Sequence, residues 1–133
     1  MLRCSNISKH YAGSSVLQDV SVSVEPGKMA AIVGPSGAGK STILRILACL
    51  ETPDSGTLEV DGEQFSYPAA VGACVPQPWP RITAVFQQLF LWPHVTLRKN
   101  ISLPLRLRLV PDIERRIEAL VERFDMGEFI DRY

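Results

Sequence analysis

The chain has 133 residues, 46% of them hydrophobic, and its 14 basic and 14 acidic side chains cancel. This length suits one domain with its own core. A net charge of zero excludes a global attraction to nucleic acid or to an anionic membrane. No segment approaches the roughly 18 apolar residues of a membrane-spanning helix, and no secretory signal pattern opens the chain. We expect a cytoplasmic protein, soluble or at most peripheral on a membrane.

The three cysteines argue against two further classes of protein. Cys4, Cys49 and Cys74 are odd in number, widely spaced and without a C-x-x-C pair. This pattern favours neither a disulfide framework nor a zinc site.

The first part of the chain alternates between strand patterns and turns. Residues 2–8 and 16–24 favour extended structure, which predicts two strands of a small antiparallel sheet. A turn is expected over residues 25–28. Residues 29–33 are continuously apolar, which is typical of a parallel strand buried on both faces.

A helix and two more strands are predicted next. Apolar residues recur at helical spacing from Lys40 until the turn at residues 53–56. Residues 57–60 predict a short strand that ends at Asp61-Gly62, and residues 82–86 predict another apolar strand. The proline-rich residues 67–80 predict an irregular surface loop.

The last part of the chain has a helical character. Thr96 is a candidate N-cap, and residues 103–109 are assigned mostly to helix because Pro104 disfavours a central strand. A final apolar stripe on one helix face comprises Ile113, Ile117, Leu120, Val121 and Phe124.

The strongest motif lies between the predicted strand 29–33 and the helix that follows it. Its residues, G-P-S-G-A-G-K-S at positions 34–41, fit the P-loop pattern G-x-x-x-x-G-K-[ST]. Chance produces this pattern about once in 200 chains of this length. The sequence therefore predicts a phosphate-binding loop.

The residue types in this loop match the chemistry of phosphate. Glycines let successive backbone N–H groups approach phosphate oxygens, and the following helix adds its positive N-terminal end. Lys40 is expected at the β- and γ-phosphates, and the Ser41 hydroxyl at a magnesium ion between them. Thr42 is a further candidate phosphate donor. The remaining candidate phosphate-binding residues are Gly34, Ser36, Gly37, Ala38 and Gly39.

Three further segments indicate which class of P-loop protein the chain resembles. These are K-H-Y-A-G-S-S-V-L-Q-D-V-S-V-S-V-E-P-G-K at 9–28, L-x-x-P-D-S-G-x-L-x-V-D-G at 50–62 and V-F-Q-Q-L-F-L-W-P-H-V-T-L-R-K-N-I at 85–101. With the P-loop, they resemble in type and order the ATP-binding subunit of ABC transporters. The resemblance implies an α/β fold: an incomplete RecA-like P-loop core with an antiparallel β subdomain over 1–94, and the start of a helical subdomain over 95–133.

The same resemblance implies further site residues. Tyr11 matches the aromatic residue that stacks on adenine, and Val16 is expected beside the nucleotide. Gln87 matches the glutamine that contacts magnesium and the attacking water, so it joins Lys40 as a catalytic candidate. ATP and Mg²⁺ are the implied cofactors. The implied partners are a transmembrane permease and a second nucleotide-binding subunit in a homodimer, and the implied location is the inner face of the cell membrane.

Other residues leave alternatives open. The apolar cluster Leu89, Phe90, Leu91 and Trp92 fits either a core or a groove that accepts a short permease helix. His94 has no second metal ligand at a useful spacing, which favours a structural or surface role. Interspersed basic and acidic residues between 98 and 118 favour a solvated helix face over a nucleic-acid site.

The sequence also departs from the family pattern. It contains neither the family's signature motif, similar to L-S-G-G-Q, nor a Walker B strand nor a switch histidine. We therefore expect the chain to be the N-terminal half of such a subunit, to be marginally stable, and to bind ATP without hydrolysing it alone. The leading hypothesis is the ATPase of a transporter, most similar to polar amino-acid uptake systems. The alternatives are a non-catalytic nucleotide-binding or regulatory fragment, and a soluble ATPase of DNA repair or translation.

Overall fold

Two compact units make up the chain, Met1–Ala84 and Val85–Tyr133. The computed structural model describes residues 1–71, 76–78, 80–88 and 90–133. The predicted division into a β subdomain with the P-loop core over 1–94 and the start of a helical subdomain over 95–133 remains a prediction.

The first unit is built on a four-stranded antiparallel sheet. Its strands are β1 (Leu2–Tyr11), β2 (Ser14–Val24), β3 (Ser55–Val60) and β4 (Glu63–Tyr67), in the order β2-β1-β3-β4. The three strands predicted over residues 2–8, 16–24 and 57–60 are therefore present. The predicted turn after β2 is also present, because the Lys28 N–H donates to the Glu25 carbonyl at 3.0 Å.

β4 was not predicted from the sequence. Asp61 and Gly62, which were expected only to end a strand, have φ of 50° and 85° and connect paired Val60 and Glu63. Positive φ at both central residues is typical of a two-residue hairpin turn that continues into a second strand. Phe65 of β4 is buried.

A short helix covers one face of this sheet. Helix α1 (Lys40–Leu47) buries Ile43, Ile46 and Leu47, which confirms the predicted helix start. These side chains share one core with strand residues Cys4, Ile7, Leu17, Leu58 and Val60. Burial of this apolar surface holds α1 on the sheet, since a helix of eight residues is too short to be stable alone.

The predicted strands at 29–33 and 82–86 are absent from the structure. Neither segment pairs with a strand in the described part of the chain, and Met29 and Val33 are 98% and 90% exposed. Apolar composition alone does not form a parallel strand, because its ladder hydrogen bonds come from neighbouring strands. Within these two segments, Ile32 and Ile82 are the residues that pack partly against the core.

The proline-rich segment 67–80 is irregular where it is described. Tyr67 ends β4, and residues 68–71, 76–78 and 80 form neither helix nor strand. The remaining positions of the segment, including Cys74, lie outside the described residues.

The second unit contains two helices, α2 (Leu97–Leu107) and α3 (Ile113–Arg123). The Lys99 N–H donates to the Thr96 hydroxyl at 3.3 Å, so Thr96 caps α2 as predicted. Ile117 is the buried member of the predicted α3 stripe, whereas Phe124 is exposed. Arg98 of α2 pairs with Asp131 of the terminal segment at 3.0 Å, and Arg106 of α2 pairs with Glu114 of α3 at 3.4 Å.

The helices of both units are short, with eight residues in α1 and eleven in each of α2 and α3. Within the residues that the structure describes, no helix combines the length and the apolar character needed to cross a membrane.

Candidate functional site

The glycine-rich segment forms an exposed loop that leads directly into α1. Gly37 and Gly39 have φ of 80° and 81°, in the left-handed region that glycine adopts without steric cost. The Ala38 N–H donates to the Pro35 carbonyl at 3.3 Å, and the Ile43 N–H donates to the Gly39 carbonyl at 2.9 Å. The loop therefore turns once and continues into the helix, as the sequence motif predicts.

Lys40 folds its side chain back onto this loop. Its Nζ donates to the carbonyl oxygens of Gly34 at 2.9 Å and Pro35 at 2.6 Å. The ammonium group is thus held against the start of the loop by two neutral acceptors. An anion bound in the loop would meet this positive charge without a large movement of the lysine.

The first turn of α1 is suited to a negatively charged ligand. It carries no acidic side chain, and Gly39 at the N-cap offers no side chain to the free helix N–H groups. Those N–H groups and the helix dipole favour anions at this end. Ser41 is exposed, whereas Thr42 is buried.

Val16 lies next to the loop because β2 bulges at this position. Lys9 pairs with Leu17 and His10 pairs with Ser15, so Val16 is an extra residue in the ladder. A Cβ atom added at Gly39 would lie 2.8 Å from the Val16 carbonyl oxygen and 2.7 Å from a Leu17 methyl carbon. Only glycine fits this contact between the loop and the sheet.

Tyr11 lies at the end of β1, paired with Ser14 across the hairpin. Its side chain is 43% exposed, and its hydroxyl donates to the Glu51 carboxylate. The Lys9 ammonium lies over the ring, 5.5 Å from its centroid. The ring is thus accessible and also fixed at two points.

Gln87 belongs to the second unit, in an exposed segment just before α2. Its neighbours Phe86 and Phe90 stack edge to face, with ring centroids 5.1 Å apart. Leu89, the first member of the apolar cluster, lies outside the described residues. Phe90, Leu91 and Trp92 are exposed, which does not support the core interpretation of this cluster.

The structure reveals two polar residues that the sequence analysis did not select. Glu51 follows α1 and contacts Tyr11, although no motif marks it. The Asn100 amide donates to the carbonyls of Trp92, Val95 and Thr96, each at 3.1 Å, and accepts from the Trp92 N–H at 2.8 Å. Asn100 therefore fixes residues 92–96, which lead into α2.

Titratable groups near the end of β1 form an ion-pair cluster. Asp54 accepts from the His10 N–H at 2.7 Å and lies 3.0 Å from His10 Nδ1. Hydrogen bonds from the His10 side chain and backbone lower the pKa of Asp54, and the nearby Lys9 charge contributes in the same direction. Elsewhere in this unit, burial raises the pKa of the Cys49 thiol.

The residues of the loop fit a magnesium ion that is held mainly by the phosphate oxygens of a bound nucleotide. Within the described ranges, no three His, Cys, Asp or Glu side chains cluster as a metal site. An exposed serine hydroxyl after a phosphate loop suits magnesium, which commonly takes one or two protein ligands together with phosphate oxygens. Ser41 has this position.

Comparisons with known proteins agree on one family. Residues 17–133 match the family model described as ABC transporter. The chain is 37% identical over 135 residues to the spermidine/putrescine import ATP-binding protein PotA of Chromobacterium violaceum, covering 100% of this chain and 36% of that protein. It is 35% identical over 137 residues to the arginine transport ATP-binding protein ArtP of Haemophilus influenzae, covering 99% and 56% respectively. The chain thus spans between about a third and just over half of these relatives.

A solved structure shows the same fold. It is a dimeric post-hydrolysis state of the ATP-binding cassette MJ0796 bound to ADP and Pi. The TM-score is 0.79 at 30% identity, and the match covers 98% of this chain and 60% of that chain. This likeness confirms the predicted fold class, an α/β P-loop fold.

Proposed function

This chain belongs to the ABC transporter family, and on that premise we propose that it binds ATP with Mg²⁺ through residues 34–42. The observation that carries the proposal is the position of the Lys40 ammonium, 2.9 Å and 2.6 Å from two carbonyls of the loop. A phosphate in the loop exchanges these neutral acceptors for a charged one, which makes stronger hydrogen bonds.

Each residue of the loop has a proposed role. Backbone N–H groups of Ser36, Gly37, Ala38 and Gly39 bind phosphate oxygens, and Gly34 allows close approach. Lys40 binds the β- and γ-phosphates, Thr42 adds a donor, and Ser41 holds the magnesium ion. When bound, that ion neutralises charge on the phosphates.

Outside the loop, three residues complete the proposal. Tyr11 stacks on adenine, and Val16 contacts the nucleotide from the β2 bulge beside Gly39. Gln87 reaches magnesium and the attacking water in the hydrolysing assembly. The support for Gln87 is its place in the matched family segment and its exposure.

The wider activity is a proposal about the whole assembly. We propose that the protein acts as an ATPase with a second ATP-binding subunit and a transmembrane permease, on the cytoplasmic face of the membrane. The names of PotA and ArtP, which describe import and transport, and the dimeric MJ0796 support this. The 133 residues alone are expected to bind ATP without turnover, which a phosphate-release assay measures.

The transported solute is a finer proposal. ArtP supports a polar amino acid, which we propose for this protein, whereas PotA supports a polyamine. Uptake of labelled arginine and of labelled spermidine, each measured in cells with and without the gene, distinguishes the two solutes. A loss of arginine uptake alone supports the polar amino acid, and a loss of spermidine uptake alone supports the polyamine.

Calorimetric titration with Mg·ATP tests the central binding proposal. Lys40→Ala is expected to weaken binding at least tenfold, because a charge-assisted hydrogen bond contributes about 1.5–3 kcal/mol. Lys28→Ala is the matched control, since Lys28 is an exposed lysine of the same unit outside the loop. Equal affinities for the wild type and Lys40→Ala would refute the proposal.

A further inference from the structure

A polar cluster surrounds Tyr11 at the end of β1. The Tyr11 hydroxyl donates to Glu51, and the Lys9 ammonium lies over one side of the ring. Lys9 is in turn fixed, because Nζ donates to the Thr52 carbonyl at 2.7 Å and lies 3.8 Å from the Glu51 carboxylate and 3.5 Å from Asp54. The side chains of Lys9 and Glu51 are only 16% and 18% exposed.

This cluster holds an exposed aromatic side chain in one orientation. Tyr11 lies at a hairpin end and is substantially exposed, so packing alone does not fix its ring. A hydrogen bond to a carboxylate and a cation over the ring each select an orientation. A ring that is already oriented loses less conformational freedom when a flat ligand stacks on it.

Strand β2 connects Tyr11 to the phosphate loop. Tyr11 pairs with Ser14, which lies two residues before Val16, and the Val16 carbonyl is so close to Gly39 that a Cβ atom there would lie 2.8 Å from it. Tyr11 and the loop are therefore neighbours in the same unit, as one site for a base and its phosphates requires.

We propose that Glu51 is a positioning residue for nucleotide binding, which orients the Tyr11 ring for the base through the Tyr11 hydroxyl and through Lys9. This inference rests on the proposed binding of ATP. It assigns to the segment after α1 a part in recognising the base, separate from the recognition of phosphate by the loop.

Calorimetric titration with two ligands distinguishes recognition of the base from recognition of the phosphates. Mg·ATP carries a base, whereas Mg·tripolyphosphate presents only the phosphates. Tyr11→Phe keeps the ring and removes the hydroxyl, and Glu51→Ala removes its acceptor. Both variants are expected to weaken ATP binding about three- to tenfold without changing tripolyphosphate binding. The double variant is expected to bind ATP as weakly as Glu51→Ala alone, because the Tyr11 hydroxyl acts only through Glu51.

Two further variants complete the design. Tyr11→Ala is expected to weaken ATP binding about ten- to a hundredfold by removing the stacking surface. Glu59→Ala is the matched control, since Glu59 of β3 is also a half-buried glutamate with one ion pair, 3.9 Å from Arg3. It is expected to bind both ligands as the wild type does.

The outcomes distinguish this inference from the function on which it rests. Unchanged ATP affinity in Tyr11→Phe and Glu51→Ala, with a loss in Tyr11→Ala, would overturn the role of Glu51 and leave adenine stacking intact. Equal losses for ATP and tripolyphosphate would instead indicate damage to the loop, and would also overturn it. A wild-type chain that binds neither ligand would overturn the proposed function and the inference together.

Discussion

At the scale of single residues, Gly39 joins the phosphate loop to the sheet. We expect Gly39→Ala to destabilise the chain, because its φ of 81° is unfavourable for other residues and its new methyl group would meet Val16 and Leu17. Gly13→Ala is the matched control, with φ of 84° and nothing within 4 Å of the added carbon. Urea denaturation should show a loss at least about 1 kcal/mol larger for Gly39→Ala. Equal losses would contradict the close contact.

Asp54 gives a pH-dependent prediction at the same scale. Its pKa is lowered from 3.8, mainly by hydrogen bonds from His10, so the folded state favours the charged carboxylate. Its contribution to stability is therefore present above pH 3.8 and is lost as the pH falls through the lowered value. We expect the wild type to have a higher melting temperature than Asp54→Asn at pH 7. The difference between the two melting temperatures is expected to shrink below about pH 4. A difference that is constant with pH would contradict this interpretation.

At the scale of elements, the position of α1 depends on its buried face. Ile46 is fully buried in the first unit's core, whereas Leu44 on the same helix is 53% exposed. Ile46→Ala is expected to lower the free energy of unfolding by about 2–4 kcal/mol, and Leu44→Ala by less than about 1 kcal/mol. Denaturation followed by circular dichroism measures both. Similar losses would show that α1 does not pack as described.

Sequence patterns predicted the elements whose partners lie close in the chain. The hairpin of β1 and β2, helix α1 and the Thr96 cap follow from alternation, helical spacing and capping chemistry. The strands predicted at 29–33 and 82–86 were wrong, because a parallel strand requires partners that are distant in the sequence. The composition of the segment does not provide them. β4 was missed although Asp61-Gly62 is a strong hairpin signal.

The candidate site was predictable to different degrees. A fixed motif located the phosphate loop and Lys40, since the chemistry of phosphate restricts each position. Tyr11, Val16 and Gln87 came only from the family resemblance and remain predictions. Glu51 was not found, because its contact with Tyr11 joins residues 40 positions apart and leaves no local pattern.

At the scale of the whole molecule, exposed apolar residues predict self-association. Met29, Val33 and Val85 are almost fully exposed in segments that form no strand. We expect concentration-dependent association in sedimentation velocity, and less of it in the variant carrying Met29→Lys and Val85→Lys. The control carries Gln18→Lys and Gln64→Lys, which add the same charge at exposed polar sites. A wild-type chain that is monodisperse at every concentration would contradict this prediction.

Backbone amide NMR tests the central claim, nucleotide binding by the loop, most directly. Glycine signals are well separated, and the chain has glycines both inside and outside the loop. On addition of Mg·ATP, the signals of Gly37 and Gly39 are predicted to shift strongly, because phosphate oxygens accept hydrogen bonds from the N–H groups of this loop. The signals of Gly62 and Gly127 are predicted to stay in place. Unchanged loop signals at saturating Mg·ATP would contradict the account.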